Sequence, residues 1–580
     1  LMLWVLVFEI VILALSTGLR TRRVMWDTFE PVRHTMDISN GWGWGERALR
    51  YGFFKLYDHV IADRPDGDFS LDYTPLRLAV MTTWARWTNH AYPGIADWRG
   101  DYAFNAPLLH LNTLMELIST IGIFLLVRVW TVRGDLAPPG RSKVRNWLEK
   151  LSAALTGARP TRMQKQMPPA QAQPFQGCGR GLLAALLFWF NPALLIDGHA
   201  WPQWDVWPVP FFVFALLAAT TERWFVAGLL LGVGVMLKGQ LMLVAPLFVL
   251  WPLFMNAPRA ATKVVLGFCG MIALIASPWL IGHGALWVAG VVLVPAIVRR
   301  DWYRKRPLAS VWITVPIALE LVVWPLILPG NQGWVQVAAV TMLAIVIMGA
   351  GRRLSSKWWM PLVALGLAGG LFLCPILFDG SMAWYKIGFT YGAGKFQEMT
   401  IGAENLAAIL ERSLGTAGKD GVFVIDVPAI FLHHVVTVQQ VLGAIYGVTL
   451  VVASMAAAMH SNRRDPRLLV AAIMPWVMFF ALLTRMHERY LVWAACLSAA
   501  WVAAGVGMTL VHLLISGLAF MMIAQTLVLK QPEVYPVMAG LIKAASGGLA
   551  WMVLLAGCMV VFGAVMAAQK AQTGRPAHEI

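Results

Sequence analysis

Leu491 to Lys530 reads LVWAACLSAAWVAAGVGMTLVHLLISGLAFMMIAQTLVLK, with no Asp, Glu, Lys or Arg before Lys530. A bilayer core of about 30 Å takes about 20 apolar residues per helix. This run is long enough for two spans, or for one span and a buried segment, and both readings stay open. Similar runs recur along the chain, at Leu3–Leu19, at about Ala106–Trp130 and at Trp224–Phe254. Of the 580 residues, 58% are hydrophobic and 13% charged. The mean hydropathy is +0.65. Soluble domains carry about a quarter charged residues, so a chain this poor in charge needs lipid as its solvent over most of its surface. Leu3–Leu19 lacks a basic leader and a small-residue cleavage site and reads as a span, not a signal peptide. The chain begins with Leu1, so a few residues are expected to precede it.

The net charge of +16 would suggest nucleic acid in a soluble protein. Here the basic residues sit in short tracts between apolar runs, as the positive-inside rule describes. With the N-terminus inside, the segment from Arg20 to about Asn105 lies outside. The span over Ala106–Trp130 returns the chain to the cytoplasm. The inner loops are then Thr131–Gly181, Arg259/Lys263, Arg299–Arg306, Arg352-Arg353 and Arg463-Arg464. Asp197–Trp207, His283, Pro329–Asn331, Phe378–Gln440 and Arg485–Tyr490 fall outside. Arg20 to Arg23 break the rule, through either a lipid headgroup or an anionic ligand. The expected fold is an all-α polytopic membrane helix bundle of about 14–16 spans, with interfacial helices in its outer loops. No inverted repeat is evident, as many transporters would show. The five cysteines are scattered and form neither a disulfide frame nor a zinc site.

Five outer or span-end segments carry chemistry. The first runs from Met25 to Ile38. It places Asp27 and Glu30 just past a span, and its apolar positions Met36, Ile38, Trp42 and Trp44 fit an element lying in the interface. Asp27 or Glu30 is a candidate general base; solvated acids after a span are the bland alternative. The second is Leu71-Asp72-Tyr73-Thr74-Pro75-Leu76, a tight turn leading into a helix. The third, Asn191 to Trp207, gathers Asp197, His199, Gln203, Asp205 and three tryptophans at one span end. An aromatic belt explains the indoles but not Asp197 and His199. Indole faces also stack on sugars, and Gln and Asp bond hydroxyls. The fourth sets Lys238, followed by Gly239-Gln240, inside an apolar run. It is either a functional intramembrane charge or a residue that ends a short span and reaches the surface. The fifth, Thr484 to Leu491, packs Arg485, His487, Glu488 and Arg489 at a span mouth. It is either a phosphate site or a topological anchor with an internal Glu–Arg pair.

In this order the segments resemble the GT-C superfamily of polytopic glycosyltransferases. The closer likeness is to the dolichyl-phosphate-glucose glucosyltransferases of asparagine-linked glycosylation and to bacterial mannosyltransferase-like relatives. Phe29-Glu30-Pro31-Val32-Arg33-His34-Thr35-Met36-Asp37-Ile38 is similar to that family's Phe-Glu-Ala-Gln-Arg-His-Trp-Met-Glu-Ile. Leu71–Leu76 is similar to Leu-Asp-Tyr-Pro-Pro-Leu, and Ile196-Asp197-Gly198-His199 to Ile-Asp-His-Gly-His. Trp201–Asp205 resembles the bacterial Trp-Gly-Gln-x-Asp, and Lys238-Gly239-Gln240 a Lys-Gln element. His487–Leu491 matches the bacterial His-Glu-Arg-Tyr-Leu. The family's catalytic Asp stands immediately before the Phe-Glu pair, where this chain has Thr28. The base is therefore Asp27, one residue earlier, or Glu30.

The resemblance implies a GT-C module over residues 1–515, followed by C-terminal spans and a short cytoplasmic tail at 516–580. It implies transfer of glucose or mannose from a polyprenyl or dolichyl phosphate to an acceptor hydroxyl on the outer face of a membrane, with a bacterial plasma membrane favoured. Partners would be the lipid-linked donor, a glycan or lipid-linked acceptor and membrane lipids, without nucleic acid. Asp27 or Glu30 would act as base. Arg33, His34, Asp72, Tyr73, Asp197, His199, Gln203 and Asp205 would hold substrate. Lys238, His487 and Arg489 would hold the donor phosphate, with no metal and no cofactor. The rival from another class is a secondary transporter or flippase for a lipid-linked or anionic solute; a membrane scaffold is a third reading.

Overall fold

The computed structural model describes residues 2–63, 71–93, 100–136, 177–280, 380–391, 398–427 and 432–566. In chain order its main helices begin with α1 (Met2–Thr28), α2 (Met36–Tyr51), α3 (Leu56–Asp63), α4 (Pro75–Ala91) and α5 (Tyr102–Leu136). There follow α6 (Cys178–Trp189), α7 (Val209–Thr220), α8 (Trp224–Leu237), α9 (Leu247–Phe254), α10 (Pro258–Leu280) and α11 (Leu406–Leu414). The last are α12 (Val438–Arg463), α13 (Leu468–Leu482), α14 (Leu491–Leu497), α15 (Val506–Val528) and α16 (Pro536–Val565). Among the described residues, six segments are long and apolar enough to cross a membrane: Tyr102–Arg133, Cys178–Ala200, Pro258–Ala276, Val438–Arg463, Val506–Val528 and Pro536–Val565. The described fold is thus all-α apart from one hairpin. The expected 14–16 spans draw partly on 281–379, which lies outside the described residues. So do most of the Thr131–Gly181 loop, Arg299–Arg306, Arg352-Arg353 and the C-terminal tail.

The chain divides into two compact units. One comprises Leu1–Asp37, Arg99–Thr220 and Phe396–Ile580; the other comprises Ile38–Trp98 and Thr221–Lys395. The C-terminal helices α15 and α16 pack with α13 and α14 in the first unit.

In the first unit every residue of α13 and α14 is buried. The apolar run at Leu491–Lys530 resolves into one buried segment and one span. Leu491–Leu497 is helical, Ser498–Ala504 tightens to a 3-10 helix, and α15 begins at Val506. Gly505 makes the break at φ +122°, a backbone angle that only glycine adopts without strain. A hairpin of β1 (Gly421–Val427) and β2 (Leu432–Thr437), with Val424 opposite Val435, interrupts the polar stretch at Phe378–Gln440. Thr437 ends the hairpin and starts α12 through a capping box with Gln440.

In the second unit α8 and α10 approach closely along small residues. A Cβ at Gly228 would collide with the Val264 carbonyl, and one at Gly267 with that of Phe225. Such small-residue faces let helix backbones meet in lipid. The turn at Thr74 is extended (φ −72°, ψ 156°) and Pro75 opens α4, as the sequence suggests. In α2 the apolar positions follow a helical period. Ile38, Gly41, Trp44, Gly45 and Ala48 are buried, while Met36 is 65% exposed.

Candidate functional site

The polar residues of the first unit converge on the segment Pro192–Trp207. Asn191 caps the short helix Pro192–Leu195, and its side-chain amide also donates to the Ala495 carbonyl and Ser516 Oγ. The chain then widens into a single π turn over Ile196–Ala200, a local irregularity frequent at functional sites. Beyond it Trp201, Gln203, Trp204 and Asp205 are all buried.

That segment is held by one face of α5. Asn112 donates to the carbonyls of Gly198 (2.9 Å) and Gln203 (2.7 Å) and accepts from Trp207 Nε1 (2.7 Å). One turn on, Glu116 is fully buried. Its Oε1 lies 3.1 Å from His199 Nε2, and its Oε2 accepts from Arg22 Nε at 2.5 Å. Arg22 also donates to the Gly18 and Trp189 carbonyls and stacks on the Trp189 ring. A buried carboxylate is tolerable only when its charge and lone pairs are all met, and here an arginine and a histidine meet them. Arg22 is therefore neither a headgroup contact nor, in this structure, a receptor for an external anion. The α1 helix continues to Thr28, past the span end expected near Leu19.

At the other end of the segment stands Asp37, the second residue of α2. Its Oδ2 accepts from Gln203 Nε2 at 2.6 Å and from Trp201 Nε1 at 3.0 Å, and lies 3.4 Å from His34 Nδ1. Burial alone would raise the Asp37 carboxyl. The His34 contact, the Arg489 charge and the Trp201 N–H outweigh it and hold the group below the usual carboxylate range. Arg489 Nε lies 3.2 Å from Asp205 Oδ2, and its guanidinium sits 5.3 Å above the Trp201 ring. Trp493 Nε1 donates to the Asp205 carbonyl at 2.7 Å. One buried cation is thus shared by two carboxylates beside an indole and a glutamine.

Arg489 is presented by a tight structure at the head of α14. Arg485 takes a left-handed backbone (φ 60°), and Glu488–Tyr490 forms a 3-10 turn. The segment Met399–Asn405 lies against it. Arg485 N donates to the Met399 carbonyl (2.7 Å) and Ile401 N to that of Met486 (2.9 Å). Asn405, fully buried, donates to the carbonyls of Phe480 and Leu483 at 2.9 Å each. It thereby satisfies acceptors that the end of α13 leaves without helical partners.

The structure brings His34, Gln203, Asp205 and Arg489 together around Asp37. Nothing local in the sequence marks Asp37 for this place, since its partners Trp201 and Gln203 lie far along the chain. The structure places His199 apart from them, on Glu116. Asp197 is buried in the π turn. Asp27 is about half-exposed and paired with Arg23 at 3.0 Å, and Glu30 is exposed. His487 is mostly buried, 3.9 Å from Glu488 Oε2. Arg33 is buried against the Trp26 ring.

In the second unit Tyr73 is buried, its carbonyl accepting from Tyr57 OH at 2.8 Å, while Asp72 is exposed. Lys238 ends α8 in an extended conformation and is only 5% exposed, so it does not reach the surface. The next residue, Gly239, abuts Gly388 and Phe389, and Gly388 abuts Thr74. The segment Lys386–Tyr391, a second π turn, is a neighbour that the sequence motifs did not reveal.

Among the described residues no cluster of three or more His, Cys, Asp or Glu side chains forms a metal site. No protein-family model and no curated protein matches the chain.

Proposed function

We propose that the protein is a membrane glycosyltransferase of GT-C type. It moves a hexose, glucose or mannose, from a polyprenyl or dolichyl phosphate to an acceptor hydroxyl on the outer membrane face, the acceptor being a lipid-linked glycan. The observation that carries this reading is the grouping of Asp37, Gln203, Asp205 and Trp201 about Arg489. Carboxylates and a carboxamide bond sugar hydroxyls, and an indole offers a face for the ring.

In this reading Asp27 takes the proton of the acceptor hydroxyl, with Glu30 as the alternative base. Both are accessible, as a base that meets an incoming acceptor must be. The acceptor oxygen bonds to the anomeric carbon, the bond from that carbon to the phosphate oxygen breaks, and the lipid phosphate leaves with the electron pair. Asp37, firmly ionised, is a poor base and a good partner for hydroxyls and for the positive charge that develops on the sugar. Arg489 pairs with Asp205 and its charge also acts on Asp37. Its charge is therefore largely engaged, and the departing phosphate needs a further cationic group. The bacterial plasma membrane is the proposed location.

The alternative, a transporter or flippase for a lipid-linked or anionic solute, draws on the buried Arg22–Glu116–His199 cluster, since intramembrane ionisable groups mark ion and proton pathways. One experiment separates the two. Membranes containing the protein are given radiolabelled polyprenyl-phosphate glucose and mannose with a lipid-linked acceptor pool. Transfer of label to an acceptor, with release of polyprenyl phosphate, supports the transferase. Movement of intact donor across the bilayer without transfer supports the flippase.

A further inference from the structure

Four arginines of the first unit have a carboxylate partner within it. Arg22 has Glu116, Arg23 has Asp27, Arg412 has Glu404 and Arg489 has Asp205. Arg33 differs. It is 9% exposed, and among the described residues no carboxylate lies within ion-pair distance of it. One guanidinium nitrogen donates to the Trp26 carbonyl, the Nε atom is buried without an acceptor, and the group lies 3.6 Å above the Trp26 ring. A guanidinium has five N–H donors, and a ring face replaces little of the hydration that burial removes. The consequence shows in its acidity. Burial pulls Arg33 down to about 10, against the weaker pull of Glu30 and Asp27 in the other direction.

The setting narrows the missing partner. Arg33 lies in the short link between α1 and α2, next in sequence to His34, which touches Asp37. Trp26 meets Tyr102 edge-on at 5.6 Å, and Arg23, itself paired with Asp27, lies 3.7 Å over Tyr102. A planar fork of donors whose buried Nε has no acceptor suits a tetrahedral oxyanion better than a single carboxylate. We infer that Arg33 receives a phosphate group, that of a lipid phosphate monoester lying at the membrane edge. The identity of that lipid as the sugar donor's carrier rests on the transferase reading; the anion site does not.

The test uses the full-length protein in nanodiscs of phosphatidylcholine. Undecaprenyl phosphate, undecaprenol, phosphatidylglycerol and inorganic phosphate are titrated separately, and occupancy is read by native mass spectrometry. Undecaprenyl phosphate is expected to bind the wild type, about tenfold to a hundredfold more weakly in Arg33→Gln, and with intermediate affinity in Arg33→Lys. Undecaprenol is expected to bind all three alike. Because the unliganded cation lacks a counter-charge, Arg33→Gln should melt no lower than the wild type without ligand. It should lose most of the shift that undecaprenyl phosphate confers. An Arg33-dependent loss seen with phosphatidylglycerol or inorganic phosphate instead supports the phosphate site and overturns the monoester as its source. Equal affinity of wild type and both variants for every phosphate overturns the site. Failure of sugar transfer with Arg33-dependent binding intact would count against the transferase reading alone.

Discussion

Asp37→Asn tests whether the charge of the partly buried carboxylate, rather than its shape, organises the site. The amide is isosteric, so packing survives while the charge is removed. In the wild type Oδ2 draws two short hydrogen bonds, from Gln203 and Trp201, and a longer contact from His34. A hydrogen bond to a charged group contributes about 1.5–3 kcal/mol and a neutral one about 0.5–1.5 kcal/mol. Losing the charge therefore costs roughly 1 kcal/mol for each of the two good bonds, or about 2 kcal/mol in all. The pH dependence carries a sign. The folded-state pKa is depressed, so the stabilisation is complete above the unfolded value of about 4 and fades as pH falls through the folded value. Chemical denaturation of the detergent-solubilised protein at pH 7 should show Asp37→Asn destabilised by about 2 kcal/mol. The difference should narrow as the pH is taken below about 4. A variant that matches the wild type at pH 7, or a gap that stays constant into the acid range, would refute the reasoning. It would mean that Asp37 is solvated and gathers nothing.

The remaining predictions concern roles and topology. Asp27→Asn should abolish transfer, with a loss of about a hundredfold to ten-thousandfold, while donor binding survives; near-normal turnover there with loss in Glu30→Gln would move the base to Glu30. Arg489→Ala should cost about 3–5 kcal/mol of stability, because it removes the arginine from an ion pair whose carboxylate is fully buried. Arg489→Lys should recover part of that stability, and a melt unchanged in the alanine variant would show the pair to be incidental. Impermeant cysteine labelling in sealed cells should leave 131–181 and 299–306 unmodified and label 378–440. Modification of 131–181 from outside would put every proposed site residue on the wrong face.

What the sequence made legible is what hydropathy and local motifs encode. The apolar runs, the turn before α4, and the polar character of the segments holding Gln203, Asp205 and Arg489 could all be read from spacing and residue type. What it concealed was partnership. Asn112 and Glu116 lie within the Ala106–Trp130 run, where a window average hides two polar residues among apolar ones. The rule that singled out Lys238 as an intramembrane charge would have singled out Glu116 as well. Arg22 looked like an exception to the loop-charge rule because its counter-ion lies far along the chain. Asp37 went unassigned because its value comes from Trp201 and Gln203, which nothing local links to it. The hairpin at Gly421–Thr437 was hidden inside a stretch judged by its polarity, although GVFVID and VVT carry the β-branched residues that strands favour.

The ion pair between Arg22 and Glu116 also sets a condition on how the chain is made. The two residues are separated by 94 positions. At about 5–20 residues per second the ribosome needs roughly 5–20 s to deliver the second after the first. Throughout that interval α1 carries an arginine near the end of an apolar helix with no counter-charge to bury against. Its first helix must therefore wait beside the insertion machinery, or at the bilayer surface, until α5 emerges. Removing Glu116 should then show its first effect during synthesis, as slow or misdirected insertion of α1, before any property of the finished protein is measured.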